Sequence, residues 1–348
     1  MHTKVVTIPS PQESAAIEEV GRALAEGKLV VIPTETVYGL GANGLKEEAV
    51  EGIFRAKGRP SDNPLILHVA EEAQVEELVA ETPKAARDAM AVFWPGPLTM
   101  IFKKSDLVPD AVSAGLDTVA IRMPDHPVAH AILAAAAVPV AAPSANLSGK
   151  PSPTKASHVI EDLSGKVDII VDGGSTNLGI ESTVLDVTTN PPMILRPGGV
   201  TKEELETILG PVGLDKTVLD ADSSEVPKSP GQKYRHYAPK GECTLFAGNL
   251  TNVAKEVNRR IAMAKGKRCA VMATEETLSM YEGMDLLLNM GSRTNLSEVA
   301  HNIFDQLRRC DEENMELIFV EGFEFEGLGA GIMNRLLKAA GGKVVLGL

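Results

Sequence analysis

The sequence predicts two α/β domains, a large one with a partly mixed sheet and a smaller one with an open parallel sheet of Rossmann-like layout. Three observations carry this reading. The chain has 348 residues, long for one domain and comfortable for two. Short apolar runs alternate with stretches of helical periodicity along most of it. Between about residues 210 and 240 Gly, Pro, Ser and Asp dominate and the apolar period disappears, as in a linker. The expected division is therefore a catalytic-sized domain over 1–209, a linker strap over 210–240 and a C-terminal domain over 241–348.

Taken in order, Ser10-Pro11-Gln12-Glu13 reads as a capping box with proline at the first helical position. Ile17, Val20, Ala23 and Leu24 then carry a helical period as far as Gly27. A strand over 29–32, a helix over 47–56 and a strand over 65–69 follow. Helices are expected over 74–80 and 83–92, then the stiff turn Trp94-Pro95-Gly96-Pro97. Strands at 98–102, 118–122, 138–142, 167–171, 183–187 and 193–195 fill the rest of the large sheet, and a helix over 202–209 closes the domain. Beyond the linker, strands at 243–246, 269–273, 285–289 and 317–320 alternate with helices over 253–264, 297–309 and 332–340, the spacing of a parallel sheet. No internal repeat relates the two halves.

Composition narrows the function classes. Hydrophobic residues make up 44% and charged residues 23%, as in an ordinary soluble globular protein. No apolar stretch approaches a membrane span, and residues 1–11 lack the basic-then-apolar pattern of a signal peptide. Cys243, Cys269 and Cys310 are odd in number and have no metal-like spacing, which reads as reduced thiols in a cytoplasmic protein. A net charge of −13 argues against a whole-surface grip on nucleic acid, while leaving room for a local basic cleft near Lys57, Arg59, Arg122 and Arg196.

Two nearby segments carry chemistry. Pro33 to Gly41, PTETVYGLG, crowds Thr34, Glu35, Thr36 and Tyr38 into a turn after a buried strand, where hydroxyls can face a cleft. Lys57 to Leu65, KGRPSDNPL, sets Lys57 and Arg59 around Gly58, with Pro60 stiffening the exit and Asn63 offering an amide. Hydroxyls for a small polar substrate beside cations for phosphate suggest nucleotide-dependent chemistry on a small molecule. Gly39-Leu40-Gly41-Ala42-Asn43-Gly44 spells a dinucleotide fingerprint, but Pro33 to Tyr38 separate it from the strand and a cationic loop stands where the acidic ribose ligand belongs. Tight-turn glycines are the preferred reading, and the same holds for Gly327, Gly329 and Gly331. Arg122 ends an apolar strand, so a carboxylate or phosphate is expected beside it. His68 lies within another strand, where core packing competes with ligand binding. Glu35, Asp172 and Glu181 are the acidic candidates for a metal; the residues do not choose among them, and no protein metal ligand is assigned.

These two segments, followed in order by AIRMPDH from Ala120, APSANLSGKPSPT from Ala142, ESTVLD from Glu181, LRPGGV from Leu195, SPGQKYRHYAP from Ser229 and IMNRLLKAA from Ile332, resemble the threonylcarbamoyl-adenylate synthases. The likeness is to the long, two-domain form of this YrdC-like family, spanning Pro33 to Ala340. It implies a YrdC-like twisted mixed sheet and a nucleotidyl transfer: L-threonine, bicarbonate or CO2, and ATP give threonylcarbamoyl-adenylate and pyrophosphate. The resemblance assigns Thr36, His68, Arg122, Ser182 and the Ala142 backbone to threonine. It assigns Arg59, Asn63, Thr118, Ser144, Ser152 and Arg196 to ATP. Lys57 joins Arg59 as a charge-stabilising catalytic candidate, and Mg2+ is expected to arrive on the phosphates of ATP. The product would feed a separate transferase acting beside the anticodon of certain tRNAs, so neither tight nucleic-acid binding nor a membrane is implied. Two other classes fit the motifs less fully, a tRNA- or double-stranded-RNA-binding module and an ATP-binding regulatory protein. Pyrophosphate release without RNA separates the first, and turnover the second. Within the strap, Tyr234, Arg235, His236 and Tyr237 are unusual residues for an inert tether. The expectation is that the strap folds over the cleft with Tyr234 or His236 reaching ATP.

Overall fold

Apolar runs and amphipathic helices sort into two sheets in this computed structural model, which describes residues 2–218 and 237–347. The strands of the first are β1 (Lys4–Thr7), β2 (Val30–Ile32), β3 (Gly39–Asn43), β4 (Ile66–His68), β5 (Leu98–Lys103), β6 (Thr118–Arg122), β7 (Val140–Ala141), β8 (Ile169–Asp172), β9 (Thr183–Asp186), β10 (Met193–Arg196) and β11 (Gly213–Leu214). Across the sheet they run β1-β8-β2-β3-β7-β4-β6-β5-β9-β10-β11, with parallel and antiparallel neighbours mixed. The helices between them are α1 (Ser14–Glu26), α2 (Glu47–Lys57), α3 (Glu72–Leu78), α4 (Lys84–Phe93), α5 (Asp110–Ser113), α6 (Pro127–Ala136), α7 (Ala156–Leu163) and α8 (Lys202–Leu209).

The two faces of this sheet are covered differently. On one, residues of α2, α4, α7 and α8 form a single core with Val31, Leu40, Leu67, Met100, Ile121 and Leu185. On the other, α1 and α6 pack over Val30, Ile32, Val140 and Ile169. That cover stops at β7. His68 of β4 pairs with Val140 and so shares this second face. Beyond it the same face carries Ile66, Ile101, Ala120, Val184 and Leu195, a small apolar floor next to the site.

The second sheet holds β12 (Glu242–Ala247), β13 (Cys269–Ala273), β14 (Leu286–Asn289), β15 (Leu317–Glu321) and β16 (Val344–Leu346), with α9 (Leu250–Met263), α10 (Leu296–Glu312) and α11 (Leu328–Ala339). It is open and wholly parallel, as expected, in the order β14-β13-β15-β12-β16. The fourth of these strands lies between the second and the first, whereas a dinucleotide-binding half has 3-2-1 there.

Several local expectations change. The first helix begins at Ser14 rather than after Ser10, and its N-cap, Glu13, makes no side-chain capping bond. Gly39–Asn43 is a strand, not a turn. None of Gly39, Gly41 and Gly44 has a positive φ. At Gly44 a Cβ would lie 2.5 Å from Leu67 Cδ2 and 2.9 Å from the Pro139 carbonyl oxygen, so close approach of neighbouring strands is what requires glycine. The stretch read as linker contributes β11, paired with β10, and a 3-10 turn over Lys216–Val218. In the second domain Asn334 Nδ2 on α11 donates to the Val218 carbonyl at 2.9 Å.

Candidate active site

Neighbouring strands deliver polar side chains to one end of the uncovered face. His68 and Arg122 are cross-strand partners at the ends of β4 and β6. Thr99 of β5 lies opposite Arg122. Ser182, just before β9, shares a 2.8 Å hydrogen bond with the Thr99 hydroxyl. Arg196, at the end of β10, donates from Nε and Nη2 to the Ser182 carbonyl at 3.1 and 3.0 Å. Gly198 lets this corner close, since a Cβ there would meet the Glu181 carbonyl oxygen at 2.4 Å.

The opposite wall comes from loops. Thr34 Oγ1 accepts from the amides of Thr36 and Val37 and donates to the Val37 carbonyl, shaping the turn after β2. This presents Thr36 Oγ1 to Arg122 Nη1 at 2.8 Å. The cavity is lined by Thr36, Arg59, His68, Arg122, Ala142, Ser144, Ser182 and Arg196, eight of the residues expected in the site. Thr34, Asn146, Glu181 and Tyr237 also line it, none of them among the residues that the resemblance assigns to threonine or ATP.

Arg122 has the carboxylate partner that its burial demanded. Nη2 donates to Glu35 Oε1, and Nε to the Gly96 carbonyl at 3.2 Å. Glu35 is therefore committed behind the arginine, and Asp172 accepts the Gly174 amide outside the cavity lining. Of the three acidic candidates only Glu181 reaches the cavity. His68 is buried with Nδ1 3.3 Å from the Ile66 carbonyl oxygen. Burial first, and the Arg122 charge second, push its pKa down to about 3, so it faces the cavity as neutral imidazole.

Lys57 corrects an expectation. Its ammonium donates to the Ser144 carbonyl and, at 2.5 Å, to the Asn146 carbonyl, and it does not line this cavity. Only 3% exposed, it holds the 144–146 loop and offers nothing to phosphate. Its neighbour Arg59 turns the other way, with Nη2 3.4 and 3.3 Å from the carbonyls of Asn63 and Pro64. Asn63 and Ser152 are buried beside the cavity lining rather than in it, and Ser152 Oγ donates to Glu181 Oε1. Both amide atoms of Asn63 are buried with no hydrogen-bond partner among the described residues. Thr118 shares the face of Ala120 and Arg122 but begins β6, about 13 Å along the strand from Arg122. Tyr38 is withdrawn from the cleft, its hydroxyl donating to the Gly174 carbonyl at 2.5 Å. Tyr234 and His236 lie outside the described residues. The strap's described end, Tyr237, is 5% exposed with a φ of 62°, and its ring lies 5.1 Å from that of Phe304 on α10.

This geometry has close counterparts. Residues 22–198 match the Sua5, YciO and YrdC family, described under telomere recombination, and residues 200–341 match the family of threonylcarbamoyl-AMP synthase C-terminal domains. A threonylcarbamoyl-AMP synthase of Bacillus subtilis is 48% identical over 330 residues, 94% of each chain. One from Pyrococcus abyssi is 45% identical over 345 residues, 99% of each chain. The chain belongs to the threonylcarbamoyl-AMP synthase family.

A crystal structure of the Pyrococcus abyssi synthase complexed with L-threonine superposes with a TM-score of 0.92 at 44% identity, covering 99% of each chain. The long, two-domain form of the synthase is thus the one present here. A putative synthase of Mycobacterium tuberculosis matches only 58% of this chain over 92% of its own length, with 36% identity, so shorter members exist as well. As a synthase of this family the chain is a nucleotidyltransferase that forms L-threonylcarbamoyladenylate from L-threonine, bicarbonate or CO2, and ATP.

Proposed function

We propose that this cavity is where threonine is carbamoylated and adenylated, with threonine held at the His68–Arg122–Ser182 end and the triphosphate at the Arg59–Arg196 side. The observation that carries the reading is the convergence of Arg59, Arg122 and Arg196 with the hydroxyls of Thr34, Thr36, Ser144, Ser182 and Tyr237 in one cavity. The free N–H bonds of Arg122 suit a carboxylate, while Thr36, Ser182 and neutral His68 suit the threonine hydroxyl and amine. The unsatisfied amide of Asn63 next to Arg59 supports a phosphate contact there, because a buried amide without partners is costly. Ser144 and Ser152 frame the loop on that side. The apolar floor from Ile66 to Leu195 leads toward Thr118 and suits a purine.

The chemistry needs positioning and charge neutralisation more than a protein nucleophile. The uncharged amine of threonine adds to CO2 and releases a proton, giving a carbamate. A carbamate oxygen then attacks the α-phosphorus of ATP, and pyrophosphate leaves. Arg59 and Arg196 balance the charge that builds on the phosphates.

Mg2+ would travel with the nucleotide and neutralise its phosphates. Among the described residues no group of three His, Cys, Asp or Glu side chains is arranged to hold a metal, and Glu35 and Glu181 are each engaged by an arginine. We further infer the division into 1–209, 210–240 and 241–348, and a downstream transferase that carries the product to tRNA. Cytoplasmic residence is supported by three buried cysteines that form no disulfide among the described residues, and no described helix is long and apolar enough to cross a membrane.

The test is pyrophosphate release from ATP in the presence of threonine and bicarbonate, without RNA. Release that needs RNA, or ATP binding without turnover, would overturn the reading.

A further inference from the structure

The last helix of the C-terminal domain reaches the wall of the cavity. Arg335, on α11, is fully buried. Its Nε donates to Glu181 Oε2 at 2.8 Å, its Nη2 to the Glu181 carbonyl at 3.0 Å, and its Nη1 to the Pro197 carbonyl. The other carboxylate oxygen, Oε1, accepts from Ser152. Glu181 is thus fastened on both sides, once within its own domain and once across the interface.

That carboxylate stands in an awkward place. It lines the same cavity as Arg196, where the nucleotide phosphates are expected. Burial raises its pKa, but Arg335 first and Arg196 second outweigh this and hold it below the ordinary carboxylate range, so it is ionised. An ionised carboxylate beside a triphosphate both repels the phosphates and competes for the guanidinium that should meet them.

We propose that Arg335 is a positioning residue supplied across the domain interface: by occupying Glu181 it keeps that carboxylate from claiming Arg196, and so preserves positive charge for ATP. The inference rests on the reading that Arg196 meets the phosphates. It gives the second domain a direct part in the affinity of the first for nucleotide.

Steady-state pyrophosphate release by Arg335→Met, Glu181→Gln, the Glu181→Gln/Arg335→Met double variant and Arg196→Ala decides it. Arg335→Met should raise KM for ATP on the order of tenfold or more, with KM for threonine within about twofold. In the Glu181→Gln background the same substitution should change KM for ATP by less than about threefold, because a neutral amide in place of the carboxylate has no charge to redirect. An equal rise in both backgrounds, or a parallel rise for threonine, would overturn the proposal in favour of a purely structural ion pair. Should Arg335→Met fail to fold, the double variant, which leaves no buried charge unpaired, still reads the effect against Glu181→Gln: equal KM values support the proposal and a large loss refutes it. If Arg196→Ala leaves KM for ATP unchanged, the phosphate assignment itself falls. If Arg196→Ala raises it and Arg335→Met does not, only the inference falls.

Discussion

His68 and Lys57 are titratable residues whose roles depend on surroundings that no local sequence displays. Imidazole inside an apolar strand fits either core or ligand, and here it is packed within the sheet with its ring on the cavity. Its pKa of about 3 against an ordinary 6.5 has a consequence for stability. Between those values the unfolded chain binds the proton and the folded one does not, so His68 contributes instability as pH falls from 6.5 toward 3 and nothing above 6.5. Urea midpoints of the wild type and His68→Asn should therefore converge, or cross in favour of the variant, as pH drops from 7 to 4. A difference that stays constant over that range would show that His68 is protonated in the folded protein. Lys57 and Arg59 looked equivalent as letters two places apart. The left-handed Gly58 between them, φ 62°, ends α2 and sends the two side chains to different neighbours, which is a three-dimensional fact.

Among the elements, legibility followed side-chain patterning. The strand Thr118–Arg122, the helix Lys202–Leu209 and the strand Cys269–Ala273 were readable to the residue, because each is a clean apolar or amphipathic run between turn signals. The strand Gly39–Asn43 was not, since three glycines within six residues mimic a turn and conceal the close approach that needs them. The helix Pro127–Ala136 escaped as well: it is mostly Ala and apolar residues, without a polar face to mark the period. Of the residues lining the cavity, the strand-end His68, Arg122, Ser182 and Arg196 and the acidic Glu181 could be named in advance, whereas the partners that hold Glu181 and Tyr237 come from the second domain. The glycine strand gives a prediction of its own. Gly44→Ala would push a methyl into Leu67 Cδ2 and the Pro139 carbonyl, next to β4 and β7, and should cost about 1–3 kcal/mol. Its urea midpoint measures this; a variant as stable as the wild type would return Gly44 to the status of an ordinary turn residue.

At the scale of the molecule, the two sheets share more than a tether. Val37 and Ile180 of the first domain lie in one apolar cluster with Tyr237, Phe304 and Ile332. Arg308 of α10 donates from Nη2 to Asp162 at 2.8 Å and to the Pro151 carbonyl at 2.7 Å, pinning the loop that holds Ser152. Breaking these contacts would strand two buried carboxylates, Asp162 and Glu181, without their arginines. Domains joined only by a linker usually unfold separately. Here denaturation followed by the fluorescence of the single tryptophan, Trp94, which sits in the first domain, should coincide with the loss of helix circular dichroism from both. Two resolved transitions would mean that the interface contributes little.

An enzyme that makes a mixed anhydride creates an acylating agent among its own side chains. Amines and thiolates are the groups such a reagent would attack first. No lysine or cysteine is among the described residues lining this cavity. Lys57, close by in sequence, has its ammonium tied to two carbonyl oxygens, and burial lowers its pKa without exposing a lone pair to the product. The three cysteines are buried in the other domain. Self-inactivation during turnover should accordingly be negligible: mass spectrometry after many cycles with threonine, bicarbonate and ATP should find Lys57 unmodified, and a threonylcarbamoyl adduct there would show that its amine swings into the site.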